Sequence, residues 1–371
     1  MAVYGYVFAD LLTDTNITEL ALQEVQMQRR IVIPGTFQAS YPMTNLTETE
    51  RARKIIPGRT IVHVFRESDL LLSFPIWYAK PAEDEDGNLT LELSGASLES
   101  YAYRRKIRAD LSYVQQDQLD IARALLTHMQ SRTEGDIGLE LLGGDSGVIR
   151  DRNYKTSESG SYGERLEQLA NVLNGFEYIV RTRLDPVTGG RVKEWVPGYP
   201  ALGNPAPNIE ISQPGRVKSW SYPDDATETA TSWQARGDTL QDDLSQQSEP
   251  LMSDVFEDTE RLAAGWPLLD RTEDFSSVRV KATLDAHAQA LRDTRSGSVR
   301  VPTVSVHFGD RFVIHPNLVG SWARFTLVND YFPLDGDGEP TLSRSSRIVG
   351  LDYTPDSDDS DEYANVIFME A

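Results

Sequence analysis

LTLELSGASLESYAYRRKIRADLSYVQQDQLDIARALLTHM, residues 89–129, begins as a strand and ends as a helix. Leu89, Leu91 and Leu93 alternate with Thr90, Glu92 and Ser94, a period of two that puts the leucines on one buried face. Gly95 breaks the run. Asp117 then opens a helix in which Ile121, Ala122, Leu125, Leu126 and Met129 recur on one side. Between strand and helix lies a cationic cluster, Arg104, Arg105, Lys106 and Arg108, in a chain that is otherwise acidic. The cluster reads either as a docking edge for an acidic neighbouring subunit or as a solvated strand end. We take the first, so these four are the candidate subunit-contact residues.

Composition narrows the classes. The chain has 371 residues, 57 Asp and Glu against 36 Lys and Arg, and a net charge of −21. Such a chain does not bind nucleic acid by general phosphate attraction. It has no cysteine, which removes disulfides, thiolate catalysis and Cys-based zinc sites. No apolar run approaches the roughly 20 residues that span a bilayer, so no membrane span is expected. The first residues lack a basic n-region and a long apolar core, so no signal peptide is expected. The basic residues are 29 Arg and only seven Lys.

Residues 1–95 read as a first small β-barrel domain. Val3 to Phe8, Arg30 to Tyr41, Ile61 to Phe65 and Leu70 to Tyr78 are strand-like, and Asp86-Gly87 is a hairpin turn. Residues 96–205 read as an α+β middle domain. Ser161 and Glu164 have capping-box spacing, Leu166, Leu169, Ala170, Val172 and Leu173 form an apolar face, and Asn174-Gly175 supplies the stop. Phe176–Arg183 and Arg191–Val196 flank Asp185–Gly190 as a hairpin. Residues 206–240 and 296–371 read as a second β-barrel domain. In it Val217–Tyr222 and Ala230–Arg236 are expected to pair across Asp224-Asp225, followed by strands at Val299–Phe308, Arg311–Ile314, Trp322–Leu327, Ser346–Tyr353 and Tyr363–Met369. Residues 241–295 are an acidic, helical insertion with a helix from Val278 to Leu291. From Asp224 to Asp274 there are 14 acidic and three basic residues. The fold class is thus α+β and β-dominated.

No catalytic constellation assembles. Gly144-Asp145-Ser146-Gly147 matches the sequence around a protease nucleophile, yet the nearest upstream histidine, His128, lies inside a helix, so a Gly-rich Ser/Asp turn is expected. His63, His128, His287, His307 and His315 show no metal-binding spacing. Asp335–Glu339 looks like the start of a calcium loop, but position 346 holds Ser where an EF-hand needs Glu, so a turn is expected. The Asp356–Glu362 run reads as a solvated loop. Trp220, Trp233, Trp266 and Trp322 offer stacking faces for sugar or side chains for a core. We expect no enzyme, no metal and no cofactor.

The series GASLESYAYRRKI, DLSY and DQLDIARALL within residues 95–126 resembles the central part of tail-hub (minor tail, Tal-like) proteins of long-tailed bacteriophages. GGDSGVIRDRNY at 143–154, LEQLANVLNGFEY at 166–178, WPLLDR at 266–271 and RIVGLDY at 347–353 continue the resemblance. It covers most of residues 85–353 and consists of packing motifs. It implies a structural, baseplate-hub-like tail-tip protein of the virion, assembled in the host cytoplasm. It also implies a homotrimer whose two barrels per subunit adapt a six-fold tail to a three-fold tip and line the ejection channel. Implied partners are a distal tail or tail tube protein, the tape-measure protein, and tail-tip fibre or receptor-binding proteins. DNA would pass without specific binding. Because the sequence stops just after a strand, lytic or receptor-binding extensions are expected on other tail proteins. The alternative is a tail-tip carbohydrate-binding or carbohydrate-degrading protein.

Overall fold

The computed structural model describes residues 2–206, 209–239, 249–276, 278–297, 302–309, 313–355 and 361–369. The chain divides into two compact units, residues 1–220 with 303–369, and residues 221–302. The structure is β-dominated with few helices.

The first unit is organised by a 13-stranded sheet. Its early strands are made by dense aromatic and β-branched residues, which favour the pleated surface. Thr60–Arg66 lies between Tyr4–Asp10 and the first half of Asp69–Glu83, antiparallel to both. Phe8, Ile61, Val62, Val64 and Phe74 are buried there. Asp69–Glu83 is shared. Its first half pairs with Thr60–Arg66, its second half with Leu89–Ala96, and the register shifts between Ile76 and Tyr78. Such a shift bends a strand and lets it serve two neighbours. Gly95 stands at a close approach of the two strands, because a Cβ there would strike the carbonyl oxygen of Pro75. The glycine that ends the leucine alternation is therefore a close-approach residue inside a strand. Leu91 and Leu93 are buried as their spacing requires, whereas Leu89, at the strand's mouth, is exposed.

Leu342–Thr354 is the second shared strand. Its first half pairs with Trp322–Leu327, and its second half with Tyr363–Phe368 and with Gln23–Arg30. The last pairing sets Gly350 opposite Arg30 and Tyr353 opposite Met27. The strands from the two ends of the chain thus form one sheet through this seam. Ile209–Gln213 adds to it parallel to Trp322–Leu327.

Residues 97–200 carry two helices that pack on the middle hairpin. Gln118–Met129 starts at Asp117, whose carboxylate accepts the backbone N–H of Leu119. Tyr162–Ala170 begins with the expected capping box, Ser161 and Glu164 bonded reciprocally. Together these helices bury Ile121, Leu125, Met129, Leu166 and Leu169 against Phe176, Tyr178 and Trp195. The latter three stand on Glu177–Leu184, Arg191–Gly198 or the residue just before them, and the two strands form the hairpin expected from Asp185–Gly190. Leu139–Leu141 joins this hairpin in parallel, and Leu111–Asp117 pairs with Ile149–Tyr154 as a separate two-stranded ribbon. The second helix stops at Ala170, earlier than Asn174-Gly175 signals. Its chain must turn at once to deliver Phe176 to the core, which leaves Leu173 87 % exposed rather than on the apolar face.

Residues 221–302 differ from the sequence reading in one pairing. Val217–Ser221 lies beside Thr303–His307. Ser232–Thr239 pairs with Pro250–Met252, Phe256–Glu257 and, in parallel, Asp270–Asp274. The two strands around Asp224-Asp225 therefore do not form a hairpin. Trp233 and Ala235 are fully buried in the second unit, and Ala235 packs on Leu284 and Ala288 of the helix Lys281–Arg295. The unit thus includes a strand that the sequence reading gave to the second barrel. The start of the expected strand Arg311–Ile314, the start of the strand expected from Val299, and most of the Asp356–Glu362 run lie outside the described residues, and Val313 and Ile314 are not in a strand.

Candidate subunit-contact site

The cationic stretch is an edge held in place by hydrophobic and backbone anchors. A short helix, Glu99–Tyr103, ends at Arg104. Beyond it, Ile107 is buried and its N–H donates to the carbonyl of Gly160 at 3.0 Å. Tyr162 N–H donates to the carbonyl of Arg105, also at 3.0 Å, so the stretch is tied to the capping box of the following helix. Lys106 stands opposite Ser161 in an isolated bridge.

The four cations do not behave alike. Arg104 is exposed and lies with its guanidinium 4.0 Å from the ring centroid of Trp77, whose Nε1 donates to Ser100 Oγ at 2.8 Å. Arg105 turns inward and donates to Tyr101 Oη at 3.0 Å, beside Gly135. Lys106 pairs loosely with Glu164 at 3.7 Å, both side chains well solvated. Arg108 is exposed. Among the described residues neither Arg104 nor Arg108 forms an ion pair. An exposed cation of this kind contributes little within its own chain and stays available to an external carboxylate. Arg105 has a job inside the fold that its sequence position did not reveal.

Residues 96–205 carry 15 acidic and 14 basic residues, while the rest of the chain carries 42 acidic and 22 basic. The edge therefore sits in the near-neutral portion of a strongly acidic polypeptide.

Two constellations look chemical and act structurally. Asp117 Oδ2 accepts the N–H groups of Ser146 and Gly147 at 3.0 and 2.7 Å, and the Ser146 hydroxyl donates to the same carboxylate. The GDSG loop is thus the expected Ser/Asp turn, fastened to a helix start. Burial alone would raise the Asp117 carboxyl, but these donors and the Leu119 N–H outweigh it and hold the group below the ordinary range.

The second constellation escaped sequence reasoning. His63 Nε2 lies 2.8 Å from Asp14 Oδ1, His63 Nδ1 lies 2.7 Å from Ser73 Oγ, and Ser73 Oγ lies 2.9 Å from Thr182 Oγ1. This has the order of an Asp-His-Ser relay, yet His63 is fully buried and Ser73 nearly so. Its hydroxyl is used to bond Thr182 of the middle hairpin, so the chain of bonds ties that hairpin to the first strands. Burial pushes the His63 imidazole down, against the opposing pull of Asp14.

Longer-range ion pairs also cross the first unit. Arg29 and Glu99 are buried and joined, and both bond the backbone of Val180. Arg347 chelates Glu177 and donates to the carbonyls of Gly320 and Leu202. Of the candidate tryptophans, Trp233 is fully buried, Trp266 is 37 % exposed, and Trp220 and Trp322 are half-buried.

No protein-family model matches the chain, and no curated protein matches it. Solved structures do. The tail protein from Neisseria meningitidis MC58 superposes with a TM-score of 0.59 at 13 % identity, over 99 % of this chain and 97 % of that one. The 43 kDa tail protein of prophage MuSo2 from Shewanella oneidensis gives 0.59 at 11 %, over 99 % and 98 %. Prophage tail protein gp18 from Listeria monocytogenes EGD-e gives 0.50 at 11 %, over 98 % and 94 %. The fold is that of phage tail proteins, along essentially the whole chain.

Proposed function

We propose that the chain is a structural hub subunit at the tip of a phage tail, three copies of which close into a ring around the DNA path. The observation that carries this reading is the end-to-end likeness to tail proteins, with nearly the full length of each partner covered. Two further features support it. Each terminal group of strands contains one long strand shared between two neighbours, Asp69–Glu83 and Leu342–Thr354. In our reading these are the corners of two similar small β modules, one from residues 1–95 and one from residues 206–220 and 303–369. Three subunits with two such modules each present six similar faces, which suits a six-fold tube above and a three-fold tip below. Closure of such a ring needs a head-to-tail contact that uses two different patches, and Arg104, Lys106 and Arg108 supply an exposed cationic one.

The ring would meet the distal tail or tail tube protein on one side and tip fibres or receptor-binding proteins on the other, with the tape-measure protein in its channel. A lumen drawn from an acidic chain repels the phosphate backbone, so DNA passes without being held. The role is structural rather than enzymatic. Antibody raised against the chain and gold-labelled on purified particles tests the placement. Label at the tail tip supports it, and label on the capsid or none at all contradicts it.

A further inference from the structure

Residues 329–341 leave the sheet between Trp322–Leu327 and Leu342–Thr354 as a stiff loop. Asn329 Oδ1 accepts the N–H groups of Tyr331 and Phe332 at 2.9 and 3.0 Å. Thr341 donates its hydroxyl to the Pro333 carbonyl at 2.7 Å, and Leu334 bridges to Pro340. This clamp holds the Tyr331 ring out in water, 77 % exposed, at right angles to Phe332 with centroids 4.8 Å apart. Trp220 packs behind Phe332 at 5.4 Å, and Leu334 is 51 % exposed. The same loop carries the exposed carboxylates of Asp330, Asp337 and Glu339. Among the described residues none of the three forms an ion pair. A clamped loop that carries an exposed aromatic ring and three exposed carboxylates loses little freedom on binding and selects a cationic partner.

The same unit carries a patch of the opposite kind. We infer that the loop 329–341 is a docking element whose socket is the cationic edge of Arg104, Lys106 and Arg108 on the next copy of this chain. The inference rests on the ring proposed above and names its contact surfaces. Three exposed carboxylates meet three exposed cations, two of which pair with no carboxylate among the described residues. The two patches differ, so the contact runs head to tail, as closure requires. The chain already pairs rings with cations in this way, Arg104 on Trp77 at 4.0 Å and Lys218 on Tyr363 at 4.1 Å.

The test uses three variants of the full chain: Asp330→Lys with Asp337→Lys and Glu339→Lys, then Arg104→Glu with Lys106→Glu and Arg108→Glu, then all six together. Assembly is read by light scattering, with thermal melting to show that each variant is folded. Each reversal alone should weaken assembly about tenfold or more, and the six-fold variant should recover most of the loss because attraction is restored with inverted signs. Raising salt should weaken the wild-type contact. If the wild type assembles but the single reversals do not matter, or the combined variant does not recover, the docking assignment is overturned and the ring survives. A wild type that never assembles overturns both. Unchanged assembly, with Tyr331→Ala abolishing retention on immobilised chitin or amylose, overturns it in favour of a sugar-binding loop.

Discussion

Arg66 and Glu362 form a two-bonded ion pair, Nε to Oε1 at 2.7 Å and Nη2 to Oε2 at 2.9 Å, across 296 residues of sequence. Tyr4 donates its hydroxyl to the same carboxylate. Both charged side chains are largely buried, so the pair fastens the opening strands to the entry of the last one. Removing one partner strands the other in a poorly solvated site. Glu362→Gln should therefore cost about 3 kcal/mol of unfolding free energy, measured by denaturant titration. A change below about 0.5 kcal/mol would place the pair in effectively solvated surroundings.

The bonds among Asp14, His63, Ser73 and Thr182 give stability a pH dependence of definite sign. The folded-state pKa of His63 is pushed below its ordinary value of 6.5. The unfolded chain therefore binds more protons in the window beneath that value, and stability falls as pH drops through it. Asp14 is also held low, because the bonds from His63 and Arg191 outweigh its burial. Its contribution is lost in turn, at pH below about 4. Melting temperatures taken from pH 8 to pH 4 should show the first decline in the wild type. His63→Gln should lose the part of it near pH 6, and an unaltered profile in that variant would assign the decline to other groups.

Two local substitutions report on the middle helices. Leu125 is fully buried against both helices and the hairpin, so Leu125→Ala should destabilise by roughly 3 kcal/mol. Ser161→Ala breaks the capping box and should cost about 1 kcal/mol. Ser161 is buried and lies opposite Lys106, so its loss should also loosen the cationic edge. Faster amide exchange at Ile107 and Tyr162 would reveal that loosening.

These examples show what a single sequence carries. The helix from Gln118, the capping box at Ser161 and the hairpin around Asp185–Gly190 were legible because each rests on neighbours a few residues apart. The shared strands were not. The apolar run Leu70–Tyr78 and the strand-like Ser346–Tyr353 tell that these segments are buried strands, but not that one strand will serve two partners, nor that Gly350 will meet Arg30. The misread pairing of Val217–Ser221 with the strand after it has the same origin, since a turn-like Asp224-Asp225 says nothing about more distant competitors. At the candidate site, the cluster stood out by its charge against an acidic background. The inward turn of Arg105 onto Tyr101 and the clamped exposure of Tyr331 follow from tertiary contacts, and the buried relay around His63 joins four positions with no spacing signal.

Salt gives an independent reading of what holds copies together. If the contact is built on exposed charges, assembly measured at about 1 M salt, where the screening length is near 3 Å, should be weaker than at 0.05 M. Assembly that strengthens with salt would indicate an apolar contact instead.

The central claim is a closed ring of three. Light scattering on the purified chain, alone and with its tail neighbours, measures it most directly. The account predicts a stable species of three times the 41.5 kDa chain mass, with a central opening in electron micrographs. A single-chain mass at every concentration and with every tail partner would contradict it.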